Sequence, residues 1–585
     1  MFRSSFIALL VLFSLTNAQV RYEAENAIPI HDHAVQIVED TQASGGAYVQ
    51  MREGNLNFKV NMDSAGFYTL WLNYAQANDE GGKIQNLTVN GSSTGQISFP
   101  YSQNFTNLKA AGKIKLEKGE NSIEIINSWG WVDIDYAEIT PYEATAFNIS
   151  PQLVNPNASV EAQQMFNFLL ENFQRKTISG VMTNNVMQND GKYSPETVES
   201  QEEFAWIKNA SGKLPALMGL DFMHSTGKNS TDEWFQGYHK ATLALAEDIY
   251  LRGGIPIYCW HWKDPSQTVE AFYSPSSGNT PSVDFNLNKA FVDSNSYTDF
   301  DTESAEYQNI ISDIDYIASQ LKILADKKIP ILWRPLHEAS GRWFWWGYKG
   351  PGAAKALYHL MYDRLTKHHE INNLIWVWTS DEASDALEWY PGHDVVDIIG
   401  RDFYFYPREA NHSSLVASFE NLKDIFDAKK LIALSENGSV PYPDSMQTDG
   451  AHWSFFMPWY GDYAMDGWAN DNTTEDWAHI MNHDYVITLD QMPGWDNYTV
   501  ARKTPTPQRL QAKVQGGQLL IDLGQANGVK LKWYSLQGKL LQQNKLNSSN
   551  NGFLTLPIPT FAHNLLVLSL QTDSQNLRIL VNTSP

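Results

Sequence analysis

The sequence predicts a multidomain protein: a central (β/α)8 barrel, preceded by a β-sandwich of jelly-roll type and followed by a small β-sandwich. Three observations carry this prediction. The chain has 585 residues, more than one ordinary core needs. Residues 157–503 alternate helical stretches with short apolar strands. The two flanking regions read instead as short strands separated by turns.

The elements follow in order. Residues 1–18, MFRSSFIALLVLFSLTNA, combine an early Arg3, an apolar stretch too short to span a bilayer and small residues at the end. They predict a secretory signal peptide cut after Ala18, and so a secreted, extracellular or cell-surface protein. No later stretch predicts a membrane span. Residues 20–142 show alternating strands such as NFKVNM, KIQNLTVNG, NSIEIINSW and WVDIDYAEI. Short, evenly spaced strands of this kind predict the N-terminal sandwich. A polar linker over 143–156 contains Pro151 and Pro156.

In the middle region, EAQQMFNFLLENFQRK has helical apolar spacing and KTISGVMT follows as a strand. KLPALMGLDF, GGIPIYCWHW, IPILWRPLHEA, NLIWVWTSD, DVVDIIGRDFYFY and KLIALSENGS are further strands, most of them preceded by a helix. So many βα units in one stretch predict a closed barrel, with polar residues collected at the C-terminal strand ends. KTPTPQ opens a linker at 504–511, and residues 512–585 again read as strands.

Composition narrows the function. There are 42 Lys and Arg against 66 Asp and Glu, a net charge of −24. That excludes nucleic acid as the natural partner, because phosphates demand basic surfaces. Cys259 is the only cysteine, so no internal disulfide exists, and its apolar setting in IPIYCW predicts a buried structural thiol.

Two strand ends carry glutamates in chemical company. LWRPLHE brings Arg334, His337 and Glu338 together, and LIALSENG ends in Glu436. Glu338 would close the fourth barrel strand and Glu436 the seventh, so the two would face each other across the mouth. Cleaving an acetal needs this pair: one carboxylic acid to protonate the leaving oxygen, one carboxylate to meet the cation-like carbon. The following WFWWG, residues 343–347, offers ring surface on which a sugar could stack. On spacing alone, a helix cap, a salt bridge or core packing explains these residues equally well.

At these residues the chain resembles glycoside hydrolase family 26, the endo-β-1,4-mannanase family, over roughly 157–500. RPLHEASGRWFWWG is similar to the family's acid/base segment and LSENGSVPYP to its nucleophile segment. The resemblance implies that Glu338 is the general acid/base, Glu436 the nucleophile, and that no cofactor is needed for catalysis. It further implies substrate contacts from His261, Trp262, His337, Trp343 and Trp459, and a hydrogen bond from Tyr404 to the nucleophile. Ala339 and Ser340 depart from the Met-Asn or Asn-Asn that often follows the acid/base in the family.

RYEAENA, TQASGGAYVQM and NSWGWVDIDYAEI make residues 20–142 resemble carbohydrate-binding module family 35. This resemblance implies a structural calcium held by Glu23, Glu25 and Asp135, an oxygen-only set suited to a hard cation. Asn127, Trp129 and Trp131 lie where such modules present a sugar-binding aromatic. One of the two tryptophans is expected in the core, and which one faces out stays open. VKLKWYSLQGKLLQQ resembles the hairpin of bacterial type IX secretion sorting domains, with a plain accessory sandwich the other reading.

Together these readings predict a secreted, monomeric endo-β-1,4-mannanase. It would act on mannan, glucomannan or galactomannan and retain configuration through a glycosyl-enzyme intermediate. The alternatives are a β-1,3-xylanase or mixed-linkage β-glucanase with the same catalytic pair, or a polysaccharide-binding protein with an inert barrel.

Overall fold

The computed structural model describes residues 20–30, 35–77, 82–184, 197–383, 385–406, 408–495, 498, 511–515, 518–522, 528–535, 539–547, 553–557, 565–571 and 576–582. The signal segment at 1–18 and nearly all of the linker at 504–511 lie outside the described residues. Residues up to 498 belong to one compact unit, and the residues beyond it to a second. Among the described residues no helix is long and apolar enough to cross a membrane.

The N-terminal region is a sandwich of two antiparallel sheets. One is ordered Val35–Glu39, Ala47–Met51, Val132–Pro141, Gly66–Gln76, Ser102–Leu116, with Val20–Glu23 also paired to Val132–Pro141. The other is ordered Ile28–Ile30, Asn55–Met62, Gly119–Trp129, Lys83–Val89, Ser92–Phe99. Alternation builds the core: Ile123 and Ile125 point inward with Leu87, Val89, Phe58, Val60, Leu70 and Leu72.

The barrel strands are β1 (Thr177–Met182), β2 (Leu217–Asp221), β3 (Ile255–Cys259), β4 (Ile331–Arg334), β5 (Leu374–Ser380), β6 (Ile398–Phe403), β7 (Leu431–Asn437) and β8 (Phe455–Pro458). Each pairs in parallel with the next, and β8 closes onto β1. The short strand Val486–Ile487 adds outside β1. All eight strands are buried along their whole length, which is why they read as unbroken apolar runs rather than alternating ones. Helices cover the outside. Val160–Asn172 is capped by Ser159 Oγ on Ala162 N at 3.1 Å, and Ala305–Asp326 by Ser304 Oγ on Tyr307 N at 3.2 Å.

The sandwich sits on the barrel through the helix Val416–Ile425, which packs against Ser92–Phe99 and Ser102–Leu116. Two glycines make the approach possible. A Cβ on Gly95, whose φ is +145°, would lie 2.6 Å from Ser418 Oγ, and one on Gly112 3.2 Å from Asp424 Oδ2. Buried charges fill the seam: Glu420 accepts from Lys423 at 2.9 Å and faces Lys113 Nζ at 3.9 Å, and all three side chains are under a tenth exposed.

The second unit has a three-stranded and a four-stranded antiparallel sheet. Gly528–Tyr534 and Leu540–Asn547 pair directly, as the hairpin reading of VKLKWYSLQGKLLQQ requires. Its turn residues 536–538 lie outside the described residues.

Candidate active site

The fourth strand ends at Arg334, whose side chain is fully buried. Beyond it the chain turns sharply. Leu336 and Glu338 both adopt left-handed backbone, at φ 51° and 53°, which is costly for residues with a Cβ and recurs where a site must aim its side chains. The turn is held from beneath by Trp346 Nε1, which donates to His337 O at 2.9 Å. Glu338 itself accepts from Trp343 Nε1 at 2.9 Å.

The seventh strand carries Glu436. Its Oε2 accepts from Arg334 Nη2 and its Oε1 from the Tyr404 hydroxyl, both at 2.7 Å. The other arm of the guanidinium, Arg334 Nη1, donates to Asp402 Oδ2 at 2.7 Å, and Ser435 Oγ donates to Asp402 Oδ1 at 2.6 Å. Gly400 leaves room for that hydroxyl, since a Cβ there would lie 2.3 Å from Ser435 Oγ. Carboxylate oxygens of Glu338, Asp402 and Glu436 all lie within 4.8 Å of one another.

Electrostatics divide the two glutamates. Burial, then the charges of Glu436 and Asp402, push the Glu338 carboxyl well above its ordinary range. Burial and Asp402 also push Glu436 upward, but Arg334 and the Tyr404 hydroxyl oppose them. One guanidinium serves Asp402 and Glu436 directly, so a third anion at Glu338 would have no partner cation. The shared proton therefore resides on Glu338, and Glu436 keeps the charge.

A second chain of contacts enters from β2 and β3. Asp221 Oδ2 bonds His261 Nδ1 at 2.6 Å and Oδ1 accepts from His261 N at 3.0 Å. His261 Nε2 lies 3.3 Å from His337 Nε2. Burial, then Arg334 and His261, hold His337 well below the usual imidazole range, so it is neutral at physiological pH. Cys259 is buried behind His261, as its sequence setting predicts.

Of the residues expected to touch substrate, His261, His337, Trp343, Tyr404 and Trp459 are gathered around the two glutamates. Trp343 is 40% exposed, and the half-buried Trp459 ring lies 5.8 Å from His261. Trp262 does not line the cleft. It is wholly buried, stacked on Trp260 at 4.1 Å with its indole N–H on Asp313 Oδ2 at 2.7 Å. The WFWWG cluster splits likewise: Trp345 and Trp346 are core, and only Trp343 is open. Sequence reasoning assigned no role to Arg334, Asp402 or Asp221. The signal for all three was present, since each is an ionic residue at the C-terminal end of a barrel strand.

In the sandwich both expected tryptophans face outward, correcting the expectation that one is core. Trp129 is 53% exposed under Lys83 Nζ at 4.0 Å, and Trp131 is 48% exposed with Arg52 at 5.4 Å. A bulge between Asn127 and Trp129 turns the chain out at this point. The Asn127 amide is spent inside the loop, donating to Arg52 O at 2.5 Å. Elsewhere Ser44 joins Glu23 and Asp135, through its hydroxyl and its backbone N–H, both at 2.9 Å. Glu23 Oε2 and Glu25 Oε2 are buried without a hydrogen-bond partner. Burial, then the charges of Glu23 and Glu25, raise Asp135 to about 6. Orphaned carboxylate oxygens that repel one another are what a hard cation would satisfy.

Comparison with known proteins gives two family matches. The model of glycosyl hydrolase family 26 matches residues 154–491, and that of carbohydrate binding module family 35 matches residues 20–142. The chain is 33% identical over 484 residues to a mannan endo-1,4-beta-mannosidase of Thermothelomyces thermophilus, covering 81% of this chain and 91% of that protein. It is 41% identical to the crystal structure of a beta-mannanase from a symbiotic protist of the termite Reticulitermes speratus, complexed with gluco-manno-oligosaccharide. That match has a TM-score of 0.53 and covers 60% of this chain and all of the other. It is 32% identical to a Podospora anserina GH26-CBM35 beta-(1,4)-mannanase structure, with a TM-score of 0.51 over 82% of this chain and 99% of that one.

Proposed function

The chain belongs to glycosyl hydrolase family 26, and from that premise we infer that it is a mannan endo-1,4-β-mannosidase in which Glu436 is the nucleophile and Glu338 the acid/base. One observation carries the assignment: one carboxylate oxygen of Glu338 lies within 4.8 Å of one of Glu436, yet the surroundings of the two groups differ in charge. An approach that close suits the roughly 5–5.5 Å separation of retaining enzymes better than the about 6.5–9.5 Å that leaves room for an inverting enzyme's water.

The reaction then runs in two displacements. The Glu436 carboxylate attacks the anomeric carbon while Glu338 gives its proton to the departing glycosidic oxygen, leaving a glycosyl ester on Glu436. Loss of that proton turns Glu338 into a base. It takes a proton from water, the water oxygen bonds the anomeric carbon, and Glu436 departs as carboxylate. Arg334 and Tyr404 orient the nucleophile and favour its anion, and neutral His337 offers a polar contact without adding charge.

The family 35 module supplies a second polysaccharide contact through Trp129 and Trp131, and Glu23, Glu25 and Asp135 would hold a calcium whose charge would offset their mutual repulsion. The N-terminal residues direct secretion, which brings the enzyme to an extracellular polymer. Reducing-sugar release from mannan, xylan and lichenan tests the reading. Wild-type protein should act chiefly on mannan, and Glu338→Gln and Glu436→Gln should each lose most turnover, about 10³-fold or more, with unchanged circular dichroism. Near-normal rates in either variant would remove the assignment.

A further inference from the structure

The loop after β8 presents Trp468 to solvent at 71% exposure, far more than a large aromatic side chain ordinarily shows. Exposure alone assigns nothing, but this ring stands on a built support. Arg408 lies between two rings, 3.7 Å from the centroid of Tyr463 and 5.0 Å from that of Trp468. Its Nε donates to Asp471 Oδ2 at 2.7 Å and its Nη2 to Asp462 O at 2.9 Å, and Asp471 is 2% exposed. An arginine anchored to a buried carboxylate is a fixed base for the indole above it.

The loop is also tied to the nucleophile's strand. The fully buried Asn472 donates to Gly438 O at 3.0 Å and Tyr463 O at 2.6 Å, and accepts from Val440 N at 2.8 Å. Gly438 stands two residues beyond Glu436. The Tyr463 ring meets the Tyr404 ring edge-on at 5.0 Å, and Tyr404 bonds Glu436 directly. A tight turn completes the loop: a Cβ on Gly467 would lie 2.6 Å from Asp462 O. Tyr404, Tyr463, Arg408 and Trp468 therefore form one line of contacting groups, from the nucleophile out to the protein surface.

We infer that Trp468 is the platform of a distal sugar subsite, binding a mannosyl residue of the same β-1,4 chain beyond those held at the glutamates. The inference rests on the mannanase reading. The ligand chemistry follows from the ring. A pyranose offers a face of C–H groups that covers an indole, and its hydroxyls stay in water at an exposed site. Covering the indole would remove exposed apolar surface from water, which only a chain long enough to reach it can do.

The test compares chain lengths. kcat/KM is measured on mannotetraose and mannohexaose for wild type, Trp468→Ala and Trp468→Phe. The hexaose-to-tetraose ratio should fall about tenfold in the alanine variant, through KM rather than kcat, and recover most of the way in the phenylalanine variant. An unchanged ratio, or an equal loss on both lengths, would overturn the subsite and leave Trp468 as a cover for Arg408. Failure of the wild type on both oligosaccharides would overturn the mannanase reading itself, and this subsite with it.

Discussion

The Tyr404 hydroxyl donates to Glu436 Oε1 at 2.7 Å, and that bond opposes the burial and the Asp402 charge that raise the nucleophile's pKa. Tyr404→Phe removes the donor and keeps the ring. A hydrogen bond to a charged group is worth about 1.5–3 kcal/mol, so kcat/KM should drop about 10- to 100-fold. The sign on pH is fixed by the same argument. Glu436 must be ionised to attack, and losing a donor to its anion raises its pKa, so the acid limb of the pH–rate profile should move to higher pH. The alkaline limb belongs to Glu338, which must hold a proton, and should stay near its wild-type position. A profile whose acid limb does not move would mean that Tyr404 only fills space.

The two glutamates were legible because the chemistry of a barrel enzyme gathers at strand ends, and RPLHE and LSENG are strand ends by their apolar run-in. The tryptophans were not, because residue type does not say which way a side chain points. In CWHW, alternation puts Trp260 and Trp262 on one side and His261 on the other. The two indoles stack on each other in the core and only the imidazole reaches the mouth. Arg334 and Asp402 escaped for a different reason. Each satisfies its charge on a residue far away in sequence, and a pairing between β4 and β6 exists only once the barrel has closed. The outward turn of Trp129 comes with a bulge between Asn127 and Trp129, which strand periodicity does not reveal, and Trp131 lies beyond the end of that strand.

Asp313 gives a stability prediction of known sign. Burial raises its carboxyl from 3.8 to about 7, although Trp262 Nε1 donates to it. A carboxyl whose folded pKa exceeds its unfolded one favours the fold when protonated. That contribution is complete below about pH 4 and is lost as pH rises through about 7. Asp313→Asn keeps an acceptor for Trp262 without the charge. It should stabilise the barrel by a few kcal/mol at pH 8 and by almost nothing at pH 4, read as Tm against wild type at both values. Equal shifts at both pH values would show that the charge is not the cause.

The sandwich carboxylates predict a metal response. With Glu23 Oε2 and Glu25 Oε2 unpartnered and Asp135 raised by burial and by both neighbours, removing calcium with a chelator should lower the unfolding temperature of the protein, and added calcium should restore it. Magnesium should restore less, because it demands tighter octahedral geometry. In Glu25→Gln the chelator should no longer have an effect. Mannan hydrolysis should persist throughout, since none of the three lies near Glu338 or Glu436. A sandwich indifferent to chelator would remove calcium from the module.

The seam between sandwich and barrel makes the last prediction. Glu420 is the anion facing two ammonium groups, Lys423 at 2.9 Å and Lys113 at 3.9 Å, in a setting where burial already lowers the Lys113 pKa. Breaking a buried pair by removing one partner costs about 3–5 kcal/mol, because the remaining charge is left in a poor solvent. Here two cations would be left, on opposite sides of one interface. Glu420→Gln preserves the shape and removes the charge, so its effect should fall on docking rather than on either core. Calorimetry should then resolve sandwich and barrel as separate transitions where the wild type melts as one. Lys113→Met made in the same protein should recover part of the loss, since it removes one stranded cation and puts an apolar chain end in place of the Nζ that lies over the Phe67 ring. A single unshifted transition in Glu420→Gln would show that the apolar and glycine contacts with the helix Val416–Ile425 hold the two bodies together unaided.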